Sequence, residues 1–215
     1  MLILNVCLGC AGLYFSGSRG AMLGVVTGFL ILICVYKLKE KPINKIAKIV
    51  LLLMVLLGTI VYGASSMIEQ KFSRPYDNER IYLLKSTYAM WNDNRIFGVG
   101  LVNWADNYHK KYILPEAKEP HLDIPHNIYG YYFSTTGIIG GISFIAMLCL
   151  ISAFLIKTME LSTFGGFCAI AMFWALLAIS IHGFFDVGLT LKFASRLFYG
   201  CLGLTVAEVV KKLKA

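Results

Sequence analysis

Five side chains stand where a largely apolar chain can least easily keep polar groups: Arg19, Arg80, His126, His182 and Asp186. Polar groups held at the edge of a hydrocarbon layer are costly, which makes them functional candidates. Their chemistry is complementary. An imidazole with an ordinary pKa of about 6.5 can take up or release a proton at neutral pH, and a guanidinium binds phosphate oxygens as a planar fork. His182 and Asp186 are spaced i, i+4, so a helix continuing past Gly183 would set both on one face. Each group also has a plainer role. An arginine at a helix end reaches headgroup phosphates without penalty, Arg80 has Asp77 and Glu79 beside it for surface pairing, and loop ends carry His and Asp for solvation.

The elements that must hold these groups are membrane helices. Of the 215 residues, 58% are hydrophobic and only 15% charged, with a mean hydropathy of +0.69, against about 25% charged in a soluble domain. The apolar residues fall in runs of roughly 17–22, enough to cross about 30 Å of hydrocarbon. We expect an all-α polytopic membrane protein with about six transmembrane helices and a partly helical extracytoplasmic loop. The spans fall near 2–15, 21–36, 46–64, 137–156, 164–181 and 193–210. The first is short for a span. A signal peptide is the rival reading there, but no basic region precedes it and the small-residue segment runs straight into the next apolar helix. Three parts follow: transmembrane helices in 1–64, the loop with an amphipathic helix in 65–136, and transmembrane helices in 137–215.

Charge sets the topology. The formal charge is +8, yet between Met67 and Pro125 eight bases balance eight acids. The excess lies in short tracts, Lys37 to Lys48 and Lys211 to Lys214, which is the positive-inside pattern. Both termini are then cytoplasmic, the loop and all five candidate groups face the extracytoplasmic side, and nucleic acid is not a partner. The six cysteines all lie in apolar segments, so neither a disulfide framework nor a zinc site is implied, and the Cys7-x-x-Cys10 pair reads as small helix residues.

The loop is too long and too aromatic to be a bare linker. Ile81, Leu84, Tyr88 and Trp91 recur at helical spacing, and Asp77 or Asn78 is placed to cap, which predicts an amphipathic helix near 78–93 at the membrane surface. Phe97-Gly98-Val99-Gly100 reads as a glycine turn, followed by a further polar helix with Tyr108 and Tyr112. The most specific string is Pro125-His126-Asn127-Ile128-Tyr129 with Thr136-Gly137-Ile138-Ile139-Gly140-Gly141 after it, which puts a titratable base at the water-to-membrane boundary.

HNIYGYYFSTTGIIGG, at 126–141, resembles the histidine-asparagine motif of the O-antigen ligase and Wzy-type polymerase superfamily. SGSRGA at 16–21 is similar to that family's Ser-Arg motif opening a helix, RIYLLKSTYAMWNDNRIFGVGLVNW at 80–104 to its arginine-containing loop helix, and HGFFD at 182–186 to its late aromatic-aspartate element. The likeness runs over about 16–190, in order, and looks like the family's C-terminal half. Phe97 stands where the family often has a proline.

The resemblance implies a membrane glycosyltransferase that moves a glycan from a polyprenyl-diphosphate carrier to a sugar hydroxyl, outside the plasma (inner) membrane. The acceptor would be a glycan, a lipid core or a protein, and other glycan-assembly membrane proteins would be partners beside the bilayer itself. It implies His126 as the base, Arg19 and Arg80 on the leaving diphosphate, and Asp186, Asn127 and His182 as substrate-binding groups. Neither a metal nor another cofactor is required. The chain has no Asp-x-Asp pair, His-Glu-x-x-His motif or glycine-rich phosphate loop, which disfavours nucleotide-sugar transferases, zinc hydrolases and P-loop ATPases. Half of a membrane transporter and an inactive scaffold of a glycan-assembly complex are the competing readings.

Overall fold

Every element in the computed structural model, which describes residues 2–40, 75–119 and 121–214, is helical. In chain order they are α1 (Leu2–Phe15), α2 (Arg19–Glu40), α3 (Pro75–Asp93), α4 (Trp104–Asn107) running into a π-helical turn (Tyr108–Tyr112), α5 (Ile128–Thr158), α6 (Phe164–His182), a 3₁₀ turn (Gly188–Thr190) and α7 (Lys192–Lys214).

Four of these are long and apolar enough to cross a membrane: α2 over Arg19–Lys39, α5, α6, and α7 over Lys192–Lys211. They are four of the about six spans expected, counted among the described residues. With 14 residues, α1 reaches about 21 Å, short of the roughly 30 Å hydrocarbon layer. The span expected at 46–64 lies outside the described residues.

The helices pack through small residues on one pair of faces and large ones on the other. The backbone of α2 approaches that of α6 closely, because a side chain at Gly24 or Gly28 would press on Ala178. The Trp174 indole donates to the Val25 carbonyl across this seam at 2.9 Å. At its far end the Lys39 ammonium donates to the carbonyls of Lys157 (3.2 Å) and Met159 (2.7 Å), tying α2 to the turn between α5 and α6. Between α5, α6 and α7 lie Phe144, Leu148, Leu155, Met172, Phe173, Leu176 and Phe198, all buried.

The loop has a core of its own, formed by Leu83 and Met90 of α3 with Trp104, Tyr108 and Tyr112. Here one expectation is corrected. The helix exists and opens at Pro75, a residue suited to the first helical position, so Asp77 and Asn78 lie inside its first turn rather than capping it. Its inward face is Glu79, Leu83, Ser86, Thr87 and Met90, while Ile81, Leu84 and Tyr88 are exposed. The reason is polar demand. Glu79, only 3% exposed, accepts from the Lys118 and Glu119 amides at 2.9 and 3.3 Å. The Ser86 hydroxyl donates to the Tyr112 carbonyl at 2.6 Å. Backbone groups of the irregular chain beside the loop's core need such partners, so polar residues take the face that hydrophobicity alone would not give them.

An unbroken helix of 31 residues would be about 46 Å long, whereas the 19 residues of α6 reach only about 28 Å. Yet the Ile128 amide, at the start of α5, donates to the carbonyl of Gly183 just beyond the end of α6, at 2.8 Å. The mismatch is absorbed at Gly137, whose φ of 67° and ψ of −167° break α5 into two parts. Residues 95–100 fill the break. Val99 and Gly100 donate to the Ser134 and Thr135 carbonyls at 3.0 and 2.8 Å, and Ile138 donates to the Arg95 carbonyl at 2.7 Å. Side chains cannot enter this contact. A Cβ on Gly98 would collide with the Thr135 backbone, and one on Gly137 with the backbone of Ile96 and Phe97. Both glycines also have positive φ, which other residues adopt only at a cost. The two glycine strings of the sequence are therefore the halves of one clasp.

Candidate active site

The N-terminal end of α5 and the turn after α6 are stitched together residue by residue. Beside the Ile128 to Gly183 bond, the Asn127 amide donates to the Phe184 carbonyl at 3.1 Å. Its oxygen accepts from the Gly130 amide at 2.7 Å and so caps α5. The Tyr129 hydroxyl donates to the Ser180 carbonyl at 2.8 Å, and its ring packs on Phe184 with centroids 4.6 Å apart. The 125–130 segment has little freedom left.

His126 sits at the centre of this stitching in an unusual conformation. Its φ of 49° makes it the non-glycine residue with positive φ among those described. Histidine tolerates this region better than most residues, at a cost of about 1–2 kcal/mol, and such strain persists only where surroundings impose it. Its Nδ1 stands 3.5 Å from Asp186 Oδ1, while His182 Nε2 stands 3.6 Å from Asp186 Oδ2. One carboxylate thus bridges two imidazoles. Both distances are those of an ion pair rather than of a closed hydrogen bond, and the Nδ1 atoms of both rings are buried without a hydrogen-bond partner among the described residues.

Asp186 is half-buried, and His126 holds its carboxyl below the ordinary range. Burial opposes this, while the Val187 amide, which donates to Oδ1 at 2.7 Å, and the positive charge available to each histidine assist it. The carboxylate is ionised at neutral pH. Helix α6 ends at His182, but the turn after it keeps helical bonding, with the Phe185 and Asp186 amides both donating to the His182 carbonyl at 2.8 and 3.1 Å. That is how the i, i+4 pair meets after the helix has ended.

The two arginines differ. Arg80 lies on α3 close enough for its charge to act on His182, and its Nε is buried without a partner among the described residues. Glu79, offered by the sequence as a surface partner, instead holds the 118–119 amides. Arg19 is exposed at the first position of α2 and forms no hydrogen bond or ion pair among the described residues. Its neighbour Gly20 abuts His182 and Phe185, where an added Cβ would stand 3.1 Å from His182 Nδ1, so α2 starts at the same end of the bundle. The fold brings His126, His182, Asp186 and Asn127 together, sets Arg80 within electrostatic reach of His182 and leaves Arg19 at the rim. Among the described residues no three His, Cys, Asp or Glu side chains are arranged as metal ligands are. Sequence reasoning missed the backbone partners Gly183, Phe184 and Ser180. Their only signal was the unexplained glycine inside HGFFD.

A family model described as O-antigen ligase matches residues 4–145. The chain belongs to that family. The match covers Arg19, Arg80, His126 and Asn127 and ends before His182 and Asp186, which join the site through the contacts given above. No curated protein and no solved structure matches. Family membership makes this a membrane protein of O-antigen and lipopolysaccharide assembly, a glycosyltransferase-like enzyme with a lipid-linked glycan as substrate.

Proposed function

We propose that the chain transfers a glycan from a polyprenyl-diphosphate carrier to a hydroxyl on an acceptor glycan, lipid core or protein, at the extracytoplasmic face of the plasma membrane. The observation that supports this best is the carboxylate of Asp186 between two imidazoles, 3.5 Å from His126 and 3.6 Å from His182, with the charge of Arg80 acting on His182. As the acceptor oxygen attacks C1 of the donor sugar, its proton passes to His126. Asp186 holds that ring and stabilises the imidazolium that forms, as a carboxylate does for a catalytic histidine elsewhere. The bond between C1 and the carrier diphosphate breaks, and its electron pair leaves with the diphosphate. That developing charge falls to Arg80, and to Arg19 at the rim. Asn127 is a positioning residue, since both ends of its amide are bonded to backbone, and His182 shares the carboxylate.

Complementation tests the reading. The chain is expressed in a mutant lacking its own O-antigen ligase or polymerase, alone and with any upstream coding sequence restored, and glycan length and attachment are read on a gel. Restored attachment supports ligation and restored long chains support polymerisation. Absence of both, with insertion verified and donor and acceptor matched, refutes it.

A further inference from the structure

Outside the cluster of histidines, the turn that follows α3 forms an open cleft of about 390 Å³ between Asn92 and Gly98. Its lining combines an amide, a carboxylate, a guanidinium and an aromatic ring. Asn92 and Arg95 are joined by a bond from the guanidinium to the Asn92 side-chain oxygen, which orients both planar groups. Asp93 accepts from the Lys111 ammonium at 2.8 Å and the Tyr112 hydroxyl at 2.9 Å, both on Oδ2, so Oδ1 has no partner among the described residues. Those two donors hold its carboxyl below the ordinary range, so it remains an acceptor at neutral pH. At the lip stands Phe97, 79% exposed.

We propose that this cleft is a saccharide subsite, which binds a sugar unit of the acceptor glycan away from the reacting hydroxyl. Resting on the glycan transfer proposed above, it assigns the acceptor a site that the cluster of histidines does not supply. The chemistry fits a sugar better than a peptide or a lipid tail. Sugar hydroxyls each donate and accept, and are matched by oriented planar groups such as an amide, a carboxylate and a guanidinium. The C–H face of a pyranose suits the negative face of an aromatic ring. A shallow, open cleft suits a chain that continues past it on both sides.

The cleft is also rigidly connected to the chemistry. Residues 95–100 are bonded to Ser134, Thr135 and Ile138 of α5, and α5 starts next to His126. About nine residues of helix, roughly 13 Å, separate that start from the clasp. A sugar held at the cleft is thus at a set distance from the base, which fixes the hydroxyl that reaches it.

The test reads binding and not turnover. The whole chain in nanodiscs is mixed with the source cell's own surface polysaccharide, cut from its lipid by mild acid, and saturation-transfer NMR reads contact with sugar protons. The proposal expects transfer that survives His126→Ala and falls at least fivefold in Phe97→Ala and in Asn92→Ala. Phe97→Trp should keep the signal and Phe97→Leu should lose it. Leu retaining full transfer would make Phe97 a bilayer anchor and overturn the proposal, as would no transfer to the wild type. Signal lost in His126→Ala but kept in the cleft variants would place the sugar at the histidines, supporting glycan transfer while refuting this subsite. Thermal unfolding of each variant separates lost binding from lost fold.

Discussion

At the scale of single residues, the proposed site centres on a histidine at positive φ with a carboxylate 3.5 Å from its ring. His126→Ala should abolish glycan transfer in membranes while leaving expression and insertion unchanged; transfer by that variant would remove the base assignment. Arg80→Lys should lose roughly a hundredfold in turnover, as when one charge-stabilising donor is deleted, because an ammonium cannot reproduce a planar fork. Arg19→Lys should be impaired as well, and normal turnover in either lysine variant would leave that arginine an anchor. Asp186 makes a prediction about acid. Its carboxyl is held below its ordinary value, so its contribution to stability is complete above about pH 3.9 and is lost as pH falls through the lowered folded value. Wild type should therefore unfold at a higher temperature than Asp186→Asn near neutral pH, with the gap closing below about pH 4. A gap that persists in acid would show that the charge is not what ties the turn to α5. Arg19, His126, His182 and Asp186 stood out in the sequence because each is a costly group at the margin of an apolar run, whereas Arg80, inside the polar loop, stood out only through the family likeness. What was not legible is how they meet. The partners of Asn127, Ile128 and Tyr129 are carbonyls, and every residue carries a carbonyl.

At the scale of elements, the clasp between the 95–100 turn and the break in α5 positions the loop. Gly137→Ala and Gly98→Ala should each lower stability by about 1–3 kcal/mol from backbone strain alone, and by more because the new methyl group meets main chain. Thermal unfolding in detergent reads this, and unaltered melting in both variants would mean that the contact does not form. The sequence offered both glycine strings but gave no reason to pair them, since backbone-to-backbone contacts leave no pattern of side chains. It showed the apolar stripe of α3 but not which residues the core of the loop would take. The repeat of Ile81, Leu84, Tyr88 and Trp91 is a real stripe, exposed at its first three members, while Glu79 and Ser86 turn inward to bond two amides and a carbonyl of the loop. Periodicity identified the helix, while its inward face follows from hydrogen bonds that leave no periodic pattern.

At the scale of the whole molecule, α2 leaves the site, since Gly20 lies by His182 and Lys39 by Met159, whereas α5 starts at it. The ends of the connection between α2 and α5 therefore lie on opposite faces of the bundle. In a background with the native cysteines replaced, Val102→Cys, 93% exposed in wild type, should react with an impermeant maleimide on intact cells. Leu161→Cys, in the turn between α5 and α6, should react only after permeabilisation. The reverse pattern would invert the topology read from the lysine tracts. The clasp has a further consequence for how the molecule is made. Its two halves are about forty residues apart, so at synthesis rates of about 5–20 residues per second the earlier half waits seconds for its partner. A nascent chain arrested before Ser134 should be cut by protease within 95–102, and one extended past α5 should resist, so that the last step in assembling the loop belongs to the helix that follows it.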